Sequence, residues 1–246
     1  NLGRDASVDT GTAPVATFEA QYVSTTNTTA YTFSSSDLGT AASNRSIVVG
    51  VGGWKASGST RIVNSLTING VTATLGGRQA TRSANACEIW SAPVPSDASG
   101  DIVVTFNDAM GAASIGVWSV TDLGPPLDSD GDNGASGEEP IHQITNTGSK
   151  DSIVFYHMQD EGAVDGFVFT GAGVTERYET ISSSFEGDGG QAGADATFAA
   201  SGHKTVECAG SGSDSNFNDG ALLGVVFGKT NECQFTPTSL GSNNIT

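Results

Sequence analysis

Positive charge is scarce in this chain. Lysine and arginine number 10 against 27 aspartates and glutamates, a formal net charge of −17 with a pI near 4.2. A protein that grips nucleic acid must set cations against phosphates. With so few, and no basic run among them, a nucleic-acid partner is excluded. Charged residues of both signs make up 15%, below the usual ~25%, so hydroxyls and amides must cover much of the surface. Long apolar runs are missing as well. The longest, Ala221 to Phe227, has the length of a strand, far short of the ~20 residues of a membrane helix, so no membrane partner is predicted. No secretory leader pattern is visible. The chain opens on Asn1 rather than Met, so a preceding piece is expected to have been removed or to lie outside this sequence. The three cysteines, Cys87, Cys208 and Cys233, form no C-x-x-C or Cys/His spacing suited to zinc. His142, His157 and His203 stand in no H-E-x-x-H pattern, and neither a G-x-S-x-G elbow nor a G-x-G-x-x-G loop occurs. The chain is therefore expected not to be an enzyme and to need no certain cofactor.

What is present is a series of short β-type runs. Alternating and β-branched segments at 17–23, 30–33, 46–51, 65–68, 71–75, 88–90, 102–106 and 113–120 are divided by Gly, Asn, Asp and Ser clusters. Asn69-Gly70 is a strong two-residue hairpin signal. Pro93 and Pro95 mark an edge or an exit, because proline cannot donate to a ladder. After Gly124-Pro125-Pro126 the runs resume at 143–146, 152–158, 167–170, 174–180, 194–199, 204–209 and 221–228. No segment sustains helical periodicity.

The two halves echo one another. Ser46-Ile-Val-Val answers to Ser152-Ile-Val-Phe, Ile102-Val-Val-Thr-Phe to Lys204-Thr-Val-Glu-Cys, and Ser114-Ile-Gly-Val-Trp to Leu223-Gly-Val-Val-Phe. The expectation is an all-β, antiparallel, jelly-roll-like sandwich with an internally duplicated strand pattern. An N-terminal arm covers 1–14 and the sandwich 15–228. Its halves, 15–123 and 140–228, are joined by an acidic linker at 124–139, and 229–246 form a C-terminal tail. One sandwich is favoured over two, since each half offers only five or six Gly-rich strands.

Three sets of residues suggest chemistry. Counted from Asp128, positions 1, 3, 5, 7, 9 and 12 of a calcium loop fall on Asp128, Asp130, Asp132, Gly134, Ser136 and Glu139. Asn133 replaces the usual glycine, and the surrounding prolines preclude EF-hand helices. Ca²⁺ is the one cofactor this spelling suggests, against the plainer reading of a solvated acidic connector. Trp54, after Gly52-Gly53, is either a stacking platform for a ligand or a loop anchor. Cys87, Cys208 and Cys233 are candidates for one disulfide and an odd thiol, or for three reduced buried thiols.

The strings Asn44–Val51, Val63–Thr74, Glu88–Pro95, Gly100–Phe106, Ile115–Thr121 and Gly173–Glu179 together resemble β-sandwich proteins encoded among the virion genes of tailed bacteriophages and prophages. The likeness runs from about Arg45 to Gly228 and carries no catalytic motif. It implies a virion structural role: capsid decoration, head fibre or tail-fibre module. Capsid decoration is the leading expectation. It entails an exterior location on the virion, self-association (a trimer, from capsid three-folds) and contact with a major capsid protein or other virion proteins. The alternatives are a receptor- or glycan-binding module of a tail fibre or adhesin, and an extracellular filament subunit that exchanges strands.

Overall fold

The computed structural model describes residues 11–55, 61–79, 85–133, 138–139, 141–160, 164–181, 190–211, 217–218 and 220–230. Among them every regular element is a β-strand. The first half runs β1 (Val15–Ser24), β2 (Thr28–Asp37), β3 (Arg45–Trp54), β4 (Val63–Ile68), β5 (Val71–Thr72), β6 (Thr74–Gln79), β7 (Ala86–Pro93), β8 (Ser99–Met110) and β9 (Ala112–Thr121). The second runs β10 (Leu123–Asp132), β11 (Glu138–Glu139), β12 (Ile141–Gly148), β13 (Ile153–Asp160), β14 (Gly166–Thr170), β15 (Thr175–Ile181), β16 (Gly190–Thr197), β17 (Gly202–Ser211), β18 (Phe217–Asn218) and β19 (Ala221–Lys229).

Each half builds two sheets. In the first, β1-β9-β3-β7-β6 forms an inner sheet and β2-β8-β4-β5 an outer one. In the second, β10-β19-β13-β16-β15 is the inner sheet and β12-β17-β14 the outer, with β11-β18 a short extra ladder. The two inner orders correspond strand for strand, as do the outer orders apart from β5. All described ladders are antiparallel, and the chain alternates between its two sheets in the jelly-roll manner.

The expected single sandwich is corrected here. One hydrophobic core, including Ile47, Leu66, Val104 and Ile115, lies wholly within the first half. Another, including Val154, Tyr156, Val206 and Leu222, lies wholly within the second. A third joins the halves, with Val48, Ile89 and Trp118 of one inner sheet against Phe155, Val225 and Phe227 of the other. The molecule is four layers deep, outer-inner-inner-outer. The larger core that Gly-rich strands need comes from stacking two sandwiches rather than merging them. Both inner sheets are covered on both faces, which explains why β13 is buried at every residue and β3 and β19 at nearly every one. Antiparallel strands usually alternate; these read as continuous apolar runs because neither face meets water.

The expected linker is also corrected. Residues 123–132 form β10, an edge strand paired with β19. Pro125 and Pro126 are tolerated there because an edge strand has one side with no ladder to supply.

The halves face each other about an approximate two-fold. β1 lies over β15, where Phe18 stacks on Tyr178 at 5.4 Å and Gln21 Nε2 donates to the Glu179 carbonyl at 3.3 Å. β6 lies over β10, with Gly77 against Ser129 and Gly131 against Gln79. This pairing also shows that the sequence echo at β3 and β13 is one residue out. Val48 pairs with Trp118 and Ile153 with Phe227, and all four face the seam, so Ile153 answers to Val48 and not to Ile47. A one-residue slip exchanges the two faces of a strand.

Part of the seam is polar. Trp118 Nε1 donates to Asp195 Oδ2 at 3.0 Å, and Arg177 holds the same carboxylate with two bonds of 2.7 and 2.9 Å. Ser114 Oγ donates to Gln191 across the halves. The Tyr178 ring lies between Gly116 of one sheet and Gly193 of the other, and a Cβ on either glycine would drive into it. Both ends of the described chain meet at one pole. Gly11 packs on Lys229 and Thr230, and the Thr230 amide donates to the Asp122 carbonyl at 3.1 Å.

Candidate functional site

The acidic motif at 128–132 has a structural use. In a strand, residues i, i+2 and i+4 share a face, and here that face points at the outer edge of β12. Thr147 N donates to Asp128 Oδ2 at 2.6 Å, Thr145 N to Asp130 Oδ2 at 2.8 Å and Gln143 N to Asp132 Oδ2 at 3.0 Å. Three carboxylates thus satisfy three amides on the side of β12 that its neighbour β17 does not reach. The opposite edge of the same sheet is treated alike: Phe167 N of β14 donates to Glu179 Oε2 at 2.9 Å, and Phe169 N to Glu176 Oε2 at 3.5 Å. Burial, opposed by the Phe169 amide and reinforced by Glu179, holds the Glu176 carboxyl above its ordinary range.

This arrangement departs from the calcium reading. Asp128, Asp130 and Asp132 stand along an extended strand, about 7 Å apart in succession, rather than around a turn that converges on one ion. Gly134 and Ser136 lie outside the described residues; of Glu139 only the backbone, in β11, is described. Among the described residues no three His, Cys, Asp or Glu side chains gather as a metal site.

The first half carries no such ladder. Pairing with β9 and β19 makes Ala20, Tyr22 and Ser24 the counterparts of Asp128, Asp130 and Asp132. Pairing with β8 and β17 makes Ala30 and Thr32 the counterparts of Gln143 and Thr145. None of these β1 side chains bears a charge. Tyr22 reaches past the middle of β2, its hydroxyl accepting from Asp37 N at 2.6 Å; the Ala30 amide donates to its neighbour Thr28 Oγ1 at 3.4 Å and the Ser35 amide to Asp101 Oδ1 of β8 at 3.0 Å. Among the described residues no strand pairs with the outer side of β2, an open sheet edge along which Thr29, Ala30, Thr32, Ser34 and Ser35 are exposed.

Beside the end of this edge lies a cleft of about 620 Å³, flanked by Val15, Thr17 and Glu19 of β1, by Asp37, Gly39 and Thr40, and by Ser119. Glu19 sits at the bulge of β1, where the register shifts between Phe18 and Ala20, and accepts from Ser119 Oγ at 2.5 Å. Arg45 closes the floor. Its guanidinium is spent on five backbone carbonyls, those of Leu38, Gly39, Val94, Ser96 and Asp97, at 2.7 to 2.9 Å. Burial lowers its pKa, against the pull of Glu19 and Asp97. The cleft therefore offers acceptors and hydroxyls, and its one cation is already saturated. The matching cleft of the second half, about 300 Å³, is lined by Pro125, Leu127, Lys150 and Lys229. Leu127, the bulged residue of β10, stands there where Glu19 stands in the first.

The remaining sequence candidates lie inside. Trp54 is 7% exposed and covers Gly111, so it is an anchor and not a platform. Cys87 and Cys208 are free, fully buried thiols in different layers, which excludes a bond between them; burial pushes both up. Cys233 lies outside the described residues. His157, sealed in the seam, shares a hydrogen bond of 2.8 Å between Nδ1 and the Tyr178 hydroxyl, and burial pulls its pKa down to about 3. The open edge is the feature that sequence reading missed. Its signal was available: from Ala20 to Ser36 this strongly acidic chain carries no charge. In comparisons with known proteins, no family model matches the chain and no curated protein matches it.

Proposed function

We propose that this chain is a non-enzymatic structural protein of a virion exterior, a capsid-decoration block carried on the particle by one pole. The observation that carries the reading is the convergence of residues 11 and 230 at that pole, so the segments before and after the described body leave from one place. A block tethered at one end leaves its outer sheets and its acidic surface toward solvent. Two further features support it. Four stacked layers give a rigid body, and the thiols and histidine with strongly shifted pKa values, Cys87, Cys208 and His157, are buried where no substrate reaches. The second reading, a filament or fibre module built through strand pairing, is favoured by one observation, the open edge of β2.

Electron cryo-microscopy of the particle or assembly that carries the chain tests this. Copies standing on the outer surface of a shell, with the Gly11/Thr230 pole toward it, are the expected result. Copies at a tail tip or in a free filament, or measurable turnover of a polysaccharide or peptide by the pure chain, overturn the decoration reading.

A further inference from the structure

We infer that β2 is the seam of a symmetric dimer, in which two copies pair antiparallel through the stretch Ala30–Ser34 and join two four-stranded outer sheets into one of eight strands. The inference stands on edge geometry and does not depend on a virion role.

An unpaired strand edge templates the addition of another strand, and folded proteins normally block it with charge, bulges or cover. This molecule blocks one such edge along its length and the other only at its ends: β2 bulges between Thr28 and Ala30 and between Phe33 and Ser36, the Ser35 amide donates to Asp101 Oδ1 and the Asp37 amide to the Tyr22 hydroxyl, and the run Ala30–Phe33 between them is regular and uncharged. In the second half, Asp128, Asp130 and Asp132 occupy the amides along β12, and Glu176 and Glu179 those along β14. At the equivalent places facing β2 stand Ala20, Tyr22 and Ser24, and the amide of Thr32 is left facing outward where Thr145 has a carboxylate. The two halves share one topology, but they differ here in side chains and in backbone, since β2 is bulged at both ends where β12 pairs with β17 without a break.

Charge selects the occupant. Two copies of a chain with net charge −17 repel each other over most of their surfaces. The uncharged stretch from Ala20 to Ser36 removes that repulsion along β2. An antiparallel pair centred on Thr32 sets Ala30 opposite Ser34 of the other copy, so no two carboxylates meet across the seam. The exposed side chains along it, Thr29, Ala30, Thr32 and Ser34, are small or hydroxyl-bearing, suited to cross-strand Thr–Thr and Thr–Ser contacts. Such a pairing is isologous and closes at two copies.

The test is the mass of the full chain in solution, by light scattering and sedimentation from micromolar to near-millimolar concentration. The wild type is expected to approach twice 24.9 kDa. Thr32→Pro deletes the outward amide, and Thr32→Lys sets a cation against its own copy at the two-fold; both are expected to be monomers. Thr32→Val, which keeps the backbone, is expected to remain a dimer. Thr32→Lys changes only an exposed side chain, so it serves if Thr32→Pro fails to fold. A wild type that stays monomeric throughout overturns the inference. So does a dimer that survives both Thr32→Pro and Thr32→Lys, since the seam then lies elsewhere.

Discussion

At the residue scale, the molecule uses polar groups in its interior and satisfies most of them at once. Arg45 closes one end of the first sandwich by accepting no substitute: five carbonyls converge on it, and Arg45→Met would strand them, a loss of at least about 3 kcal/mol. His157 gives a sharper prediction because its sign is fixed. In the unfolded chain it titrates near the ordinary histidine value of 6.5, and burial in the fold lowers this to about 3. The unfolded state therefore binds the proton first on acidification. The stabilisation from a neutral His157 is complete above pH 6.5 and drains away as pH falls toward 3. Between pH 7 and 4.5 the wild type should lose about 2–3 kcal/mol through this group. His157→Gln, which keeps a partner for Tyr178, should lose correspondingly less. Urea unfolding of both proteins at the two pH values measures it, and an equal loss in both would sink the idea.

At the element scale, edges decide behaviour. The Asp-x-Asp-x-Asp motif was legible as acidic, yet its period of two is a strand period, and the surrounding Gly, Pro and Ser hid it in a loop reading. What sequence could not show is that β12 runs alongside with its amides facing the carboxylates. Removing one, as in Asp130→Ala, should cost about 1 kcal/mol, the low end for a bond to a charged group because this one meets solvent. Replacing Asp128, Asp130 and Asp132 together by Ala should cost more than stability. It exposes β12 as an open edge, and concentration-dependent association, followed by light scattering at neutral pH, is the expected outcome. A triple variant that stays as dispersed as the wild type would show that the ladder plays no protective part.

At the scale of the whole molecule, the third core makes the halves interdependent. Each inner sheet presents large apolar side chains to the other, Trp118 and Ile89 from one, Phe155, Phe227 and Val225 from the other. A separated half would expose a contiguous apolar face far larger than soluble monomers tolerate. Unfolding is therefore expected as one transition by calorimetry, with residues 123–229 insoluble when produced alone. Two resolved transitions, or a soluble monomeric half, would mean that the seam contributes little. The polar part of the seam supplies register rather than bulk: Trp118 with Asp195, and Ser114 with Gln191, meet only in one alignment.

Sequence by itself determined the all-β class, most strand positions and the duplication, because alternation and Gly- or Asn-marked turns are local signals. It also determined that Ala20 to Ser36 lacks charge. Tertiary structure alone decided that the halves stack instead of merging, and that 124–132 is a strand. It decided as well which carboxylates close an edge and which edge stays open. Those outcomes depend on which strand lies beside which. The partner of Asp130 is chosen across sheets, by contacts between residues that spacing along the chain does not report.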